Sequence, residues 1–481
     1  MKKEDFKNKK VTVMGVGLHG GGAAAISFFS RSGARVIATD MKSEKELATS
    51  LKKLKDLKNV EFVLGQHRME DFTNVDLVVK GPAISWSSKY IQEALKKKIP
   101  VEMDSSLFFQ MVKLPIIGIT GTKGKTTTAT LIFEILKNSG QKVFSAGIGQ
   151  GPVLDADILE EISRLNSGDR GNKNNKGVVV FELSSWRLSA LGRVGLSPNI
   201  SVITNIYPDH LNYYSSMEKY IADKKFIFAN QNPEDFAVLN YDNEITRELA
   251  SEVKSQVVFF STEAVGNSIS KRRSNLHIEK GKIVYEIGED KTEVCDLNDI
   301  KIKGAHNLYN VLAAVAATLA FETPAEKIKE TVSQFKGVPH RLELVRELDG
   351  VKYYNDTTAT TPEAAIAGIN SFSAPVILIA GGSDKNLDFE KLAKTVGEKV
   401  KKIVLLKGSA TEKLKTELGK VGKIGIAEGE FDNIEDAVAR AKNISASGDV
   451  ILLSPGAASF GMFVNEFDRG YKFREAVEKL R

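Results

Sequence analysis

The stretch IIGITGTKGKTTT, residues 116–128, decides how this chain is read. Ile116–Thr120 is a short apolar run of strand character. GTKGKTTT, Gly121 to Thr128, follows it and opens a helical pattern that continues through Leu136. A strand feeding a glycine-rich turn and then a helix is phosphate-loop logic. Glycines let the backbone approach phosphate, Lys125 reaches the β- and γ-phosphates, and a threonine hydroxyl binds Mg²⁺. The match is to the logic and not to the strict motif, because the position five before Gly124 is Ile119.

A triphosphate site needs acids for its cation. Val178–Phe181 is a buried-strand run that ends in Glu182, and Ile200–Thr204 is a second one that runs into Asn205-Ile206-Tyr207-Pro208-Asp209-His210. Side chains at the carboxyl ends of strands beside a phosphate loop are where metal ligands belong, so Glu182 and His210 are candidates.

Upstream, Val11–Met14 reads as a strand that enters GVGLHGGG, Gly15 to Gly22, and then an apolar helix over 23–29. A second strand, Arg35–Thr39, ends in Asp40. Gly15-x-Gly17-x-x-Gly20 thus sits in the strand–turn–helix context of a dinucleotide fingerprint, with Asp40 where a ribose-binding acid is expected. NAD and a UDP group offer that turn the same diphosphate and ribose, and both stay open here. His19 reads as a turn residue.

Short apolar runs alternate with amphipathic stretches along all 481 residues, which reads as α/β with mainly parallel sheets. The length suggests three domains. Fresh strands start at Lys10, Pro115 and Val351, and Lys113-Leu114-Pro115 and Gly337-Val338-Pro339 read as links. The expected divisions are therefore 1–113, a Rossmann-like domain, 114–337, a central P-loop-type domain, and 338–481, a second Rossmann-like domain. Lys42–Lys58 reads as a solvated helix face. Asn166–Lys176 and Ser261–Asn275 read as surface loops. Trp86 and Trp186 read as packing residues, and His67 and His277 receive no role.

Composition bounds the function. No apolar run approaches the roughly 20 residues of a membrane span, and the basic start MKKEDFKNKK is not followed by a signal-peptide core. One cysteine, Cys295, rules out an intrachain disulfide and fits a reducing cytoplasm. A net charge of +6 with no basic tail suits an anionic small substrate at least as well as nucleic acid.

Six motifs in order, GTKGKTTT, ELSS, TNIYPDHL, GAHNLYN, HR and NDTTATTP, resemble those of the Mur ligases, the ATP-dependent amino-acid ligases of peptidoglycan precursor synthesis. GVGLHGGG, VVKGPAIS, GGSDKNLDF and LLSPGAASFGMF bring the resemblance nearest to the members that add D-glutamate to UDP-N-acetylmuramoyl-L-alanine. It implies an acyl-phosphate mechanism with ATP and two Mg²⁺ ions, a cytoplasmic enzyme expected to be monomeric, and no nucleic-acid partner.

The resemblance implies residue roles. Gly121, Thr122, Lys123, Gly124, Lys125, Thr126 and Thr127 hold ATP phosphates. Thr126, Glu182, His210 and a carbamylated Lys224 form the metal shell, with the neighbouring Lys225 as the lesser alternative. Asn307 and Asn310 contact the adenine region, Arg341 the nucleotide and Asp356 its ribose, while His306 fixes its turn. Gly15, Gly17, Gly20, Asp40, Lys42 and Gly81 belong to the UDP end. Thr360, Lys385, Ser459 and Phe460 surround the glutamate.

Two positions depart from the family pattern. Gly147 stands where the family often has an Asn that touches the muramoyl substrate, and Thr358 where the D-glutamate members carry a lysine. The second departure keeps L-glutamate open as the substrate. A folylpolyglutamate-synthetase-like ligase shares the central loop but has no use for a separate domain carrying GVGLHGGG. A dehydrogenase explains the first turn and not the second. A non-catalytic nucleotide binder does not need Lys125, Glu182, His210 and Lys224 together.

Overall fold

The structure is a computed structural model that describes residues 1–18, 20–167, 177–209, 213–263 and 273–481. Its chain forms two compact units, Met1–Leu297 with Tyr309–Val332, and Asn298–Leu308 with Ser333–Arg481. Three sheets, two in the first unit and one in the second, make three α/β domains.

The first sheet has five parallel strands, in the order Val60–Leu64, Arg35–Asp40, Lys10–Met14, Leu77–Lys80, Val101–Glu102. The order reverses at Lys10–Met14, so a topological switch point opens between that strand and Leu77–Lys80. In such sheets ligands bind in the crevice beyond the carboxyl ends at the switch. Gly15 follows one of these strands and Gly81 the other. A side chain on Gly15 would come within 3.9 Å of the Gly81 Cα.

The second sheet has nine strands. Seven run parallel, and the strand that feeds the phosphate-type turn, Ile116–Thr120, lies third from one edge, between Val178–Glu182 and Ile200–Ile203. The core strands Val178–Phe181 and Ile200–Ile203 are wholly buried, as expected of a sheet covered on both faces. Lys282–Ile287 and Asp290–Asp296 extend one edge antiparallel, beyond Arg273–Glu279. The sheet of the second unit has six strands, in the order Glu343–Leu348, Val351–Asn355, Val450–Leu453, Val376–Gly381, Val400–Leu406, Ala427–Phe431. Its first pair is antiparallel and the rest are parallel.

The lysine-rich stretch after Asp40 contains the expected solvated helix, Glu44–Lys52, closed by a Ser43/Glu46 capping box and anchored by buried Leu47. Both expected surface loops are shorter than the polar composition suggests. The helix Ala156–Ser167 takes in Asn166 and Ser167, and residues 168–176 lie outside the described ones. Ser261 is buried, where its hydroxyl donates to Asp242 Oδ1 at 2.6 Å, and the strand Arg273–Glu279 includes Asn275. Residues 264–272 lie outside the described ones. Polarity misled there because a buried hydroxyl with a carboxylate acceptor carries no apolar signature. Among the described residues, no helix is long and apolar enough to cross a membrane.

Candidate functional site

In the central sheet, backbone geometry alone builds an anion cradle. Gly124 is left-handed (φ 87°) and caps the helix Lys125–Asn138, and Gly121 has φ 151°. Space is as demanding as conformation. A Cβ on Gly124 would meet Asn310 Oδ1 at 2.1 Å, and one on Gly121 would meet Thr204 Oγ1 at 1.9 Å. Both glycines are therefore required twice over.

Side chains from the next strand clamp the loop. Lys123 N donates to Asn205 Oδ1 (2.9 Å) while Asn205 Nδ2 donates back to the Lys123 carbonyl (3.1 Å). Thr204 Oγ1 donates to the same carbonyl at 2.6 Å. The Thr122 hydroxyl lies 3.2 Å from both the Tyr207 carbonyl and Tyr220 Oη. Lys125 Nζ arches over its own turn, donating to the carbonyls of Gly121 (2.9 Å) and Thr122 (3.0 Å). Lys123 is exposed and reaches Asp209 at 3.4 Å.

Glu182 and Lys224 come to this same edge. Glu182 pairs in register with Ile119, and Glu182 Oε2 accepts from Gly149 N at 2.9 Å. A side chain on Gly149 would stand 3.7 Å from Thr126. Lys224 is only 1% exposed; its ammonium lies 3.0 Å from the Gly121 carbonyl, 3.4 Å from Thr120 Oγ1 and 4.7 Å from the Tyr220 ring centre. Burial, with Lys125 nearby, holds Lys224 well below the ordinary lysine pKa. Lys225, the next residue, instead pairs with Glu252. His210 and His19 lie outside the described residues.

Oxygen donors suit a hard cation such as Mg²⁺. Thr126 and Glu182 supply them here, and a Lys224 amine does not unless it is converted to a carbamate. Among the described residues, no three His, Cys, Asp or Glu side chains gather as a metal site.

At the first sheet, Gly20 caps the helix Gly21–Arg31 in a left-handed conformation (φ 89°), matching Gly124. Asp40 is buried, and its two oxygens accept from Gly17 N (3.1 Å) and Lys42 N (2.9 Å). It thus braces the turn on which Lys42 sits. The glycine that the spacing missed is Gly22, where a Cβ would strike the Gly15 carbonyl at 2.1 Å. It sits one residue past the helix start, outside the three-glycine spacing. Trp86 does more than pack. Its Nε1 donates to Ser189 Oγ (2.9 Å), and its ring has the Arg193 guanidinium at 3.9 Å and the buried Lys80 ammonium at 4.6 Å. It joins the Gly81 loop to the helix Ser185–Val194, which follows Glu182.

In the second unit, Asp356 is buried and accepts from Ser454 Oγ (2.8 Å) and Leu342 N (3.2 Å), beside Arg341. Burial raises its pKa to about 7. Thr358 spends its hydroxyl on the His340 carbonyl at 3.0 Å, and Thr360 follows on the same loop. The segments of Lys385 and Ser459 are joined by a two-hydrogen-bond bridge between Ser383 and Ala458 and by the Ser383 hydroxyl on the Phe460 carbonyl. Ser459 is buried, whereas Lys385 and Phe460 are exposed. Asn307 Nδ2 donates to the Lys303 carbonyl at 2.7 Å. His306 is exposed, and its ring lies 2.7 Å from where a Cβ on Gly304 would stand.

Sequence reading missed Arg469. It is fully buried and binds neutral acceptors: Thr357 Oγ1 (2.9 Å), the Thr357 carbonyl (2.9 Å) and the Ala457 carbonyl (3.3 Å). It ties the Thr357–Thr360 loop to the Ser459 loop, and no motif in the sequence marked it.

Family models match along the chain: "Mur ligase MurD-like, N-terminal domain" over 9–102, "Mur ligase middle domain" over 119–318, and "Mur ligase, glutamate ligase domain" over 340–456. A protein of Roseiflexus sp. (strain RS-1) named UDP-N-acetylmuramoylalanine--D-glutamate ligase is 42% identical, with 98% of this chain and 99% of that protein covered. One of the same name from Acetivibrio thermocellus is 37% identical, covering 99% and 98%. Among solved structures, UDP-N-acetylmuramate-alanine ligase MurC of Thermotoga maritima matches with TM-score 0.60 at 20% identity, over 98% of this chain and 99% of that one. MurF ligase of the same organism, solved with ADP, gives 0.57 at 17%, over 99% and 97%. At such identities the structural matches speak for the fold.

Proposed function

The chain belongs to the Mur ligase family, an ATP-dependent amide-forming ligase, and from that premise we propose that it joins D-glutamate to the carboxylate of UDP-N-acetylmuramoyl-L-alanine. One observation carries the chemistry. The phosphate loop, Glu182 and buried Lys224 converge on one sheet edge, in a chain that matches D-glutamate ligases end to end.

The substrate carboxylate attacks the γ-phosphate, forming an acyl phosphate and releasing ADP. The glutamate amine then displaces phosphate and loses a proton. Two anions must be brought together, so positioning and charge neutralisation supply most of the catalysis. Lys125 and the N–H groups of the Gly121–Thr127 turn meet the phosphates. Thr126, Glu182, His210 and Lys224 as its carbamate would hold two Mg²⁺ ions, which neutralise phosphate charge when bound. Lys224 suits carbamylation because its burial favours the neutral amine, the form that adds CO₂.

In the same reading, residues 1–113 hold the UDP end through Gly15, Gly17, Gly20, Asp40, Lys42 and Gly81. Residues 114–337 hold ATP, with Asn307 and Asn310 at its adenine. Residues 338–481 contribute Arg341 and Asp356 to the nucleotide and Thr360, Lys385, Ser459 and Phe460 to glutamate. The enzyme acts as a cytoplasmic monomer. Thr358 favours a second reading, with L-glutamate as the substrate, because it brings no positive charge to that loop.

ADP release with UDP-N-acetylmuramoyl-L-alanine, offered D-glutamate, L-glutamate or a diamino acid separately, decides the matter. Turnover with D-glutamate is expected. Turnover with L-glutamate alone establishes the second reading, and turnover only with the diamino acid sinks both.

A further inference from the structure

Gly147 is left-handed (φ 67°) and bare, and the space a side chain would fill there is taken. A Cβ would stand 2.7 Å from Arg187 Nη1 and 3.0 Å from the Glu182 carbonyl. Arg187 is fixed at every other point. Its Nη2 and Nε lie 2.9 and 3.4 Å from the two oxygens of Asp104. Its carbonyl accepts from Ser105 Oγ at 3.1 Å, and its backbone N donates to the helix-capping Ser184 hydroxyl at 3.3 Å. Asp104 is itself held by Ser105 N at 2.7 Å. The side chain is 12% exposed. No described residue accepts a hydrogen bond from Nη1. One edge of a planar fork is anchored on a carboxylate, and the other edge points at the Gly147–Gly149 segment that holds Glu182 beside Thr126.

A guanidinium fixed in this way is a preorganised receptor for an oxygen. Two features select which oxygen. The phosphate loop already has Lys125 and its own N–H groups for ATP. The helix Ser185–Val194, on which Arg187 sits, also carries Ser189, the partner of Trp86 on the Gly81 loop. The helix thus links the Gly81 loop, through Ser189, to the strand end that carries Glu182.

We propose that Arg187 is a specificity-determining residue of the ligation. Its Nη1 donates to an oxygen at the peptidyl end of the acyl donor, and Asp104 is the residue that positions it. The bare Cα of Gly147 is what admits the guanidinium. Arg187 and Gly147 thus form one coupled device, which replaces a side-chain amide at position 147. This rests on the acyl donor being a UDP-muramoyl peptide acid.

The test is steady-state kinetics on the full-length enzyme. Arg187→Gln should raise the acyl-donor KM about 10- to 100-fold, the worth of one charged hydrogen bond, while the KM for ATP stays put. Gly147→Asn keeps the Arg187–Asp104 pair but crowds Nη1, and it should raise the same KM. Asn tolerates the left-handed backbone, and the cost of its Cβ 3.0 Å from the Glu182 carbonyl is read separately, as a change in melting temperature. The double variant Gly147→Asn/Arg187→Gln should recover most of the loss, because an amide at position 147 then reaches the vacated oxygen. An unchanged acyl-donor KM in Gly147→Asn overturns the proposal, whether or not Arg187→Gln folds. So does an ATP KM that rises in step, or losses that add in the double variant. A wild type that ligates no UDP-muramoyl acid would instead overturn the function proposed above, which keeps the two failures apart.

Discussion

The two glycine turns of the first unit are close to the same object in backbone terms. Each follows a parallel strand, and each ends on a left-handed glycine that opens a helix, Gly20 at φ 89° and Gly124 at φ 87°. Their surroundings differ. A Cβ on Gly20 would meet nothing within 4 Å, whereas one on Gly124 would run into Asn310. The first turn is braced by a carboxylate, Asp40, which accepts from the Gly17 N–H and ties the turn to Lys42 N. The second is overlaid by Lys125, floored by buried Lys224 and flanked by Glu182. Main-chain geometry makes a place for a phosphate. The side chains that neighbouring strands deliver decide whether that place is a handle or a reaction centre.

Breaking the reaction centre should cost most. Lys125→Ala is expected to lower kcat on the order of 10²–10³-fold, the loss typical of one transition-state charge contact. The melting temperature should move little, because the side chain is only half buried. Near wild-type ADP release from the folded variant would erase the contrast between the turns.

Lys224→Ala comes next and tests the floor. Activity should fall severely, and added acetate should restore part of it by offering the carboxylate-like oxygens of the proposed carbamate. Full activity without acetate would show that the lysine only fills space.

Third, alanine at the two capping glycines measures the contrast directly. Gly20→Ala should cost about 1–2 kcal/mol of stability, for the left-handed backbone alone. Gly124→Ala should cost more, because the methyl group must also displace Asn310. Equal denaturation midpoints for the two variants would mean that the crowding at Gly124 relaxes without penalty.

The smallest effect is in binding. Calorimetry on the whole enzyme saturated with a non-hydrolysable ATP analogue should still detect UDP, held at the free first turn, and should detect no NAD. Binding of NAD and not of UDP would make the first turn a dinucleotide site.

Legibility varied with the range of the interaction. Gly15, Gly17, Gly20, Gly121 and Gly124 were readable because a left-handed turn before a helix is a local requirement that few residues but glycine satisfy. Glu182 was readable because it ends an apolar run of buried-strand character downstream of the loop. Gly22, Asn205, Arg187 and Arg469 were not readable. Their roles depend on partners 7 to 112 residues away in the chain, from Gly15 to Thr357, and nothing local distinguishes them from ordinary turn or helix residues.

By itself the sequence determined the α/β class, the two glycine turns and the order of the motifs, because periodicity and turn chemistry are written in consecutive residues. Only the tertiary structure shows how differently Lys224 and Lys225 are surrounded. On one helix two adjacent lysines are equivalent until packing sends one beneath Gly121 and the other to Glu252. The tertiary structure likewise turned Gly147 from a missing side chain into the space Arg187 fills, since burial and close approach are properties of packed neighbours and not of a string.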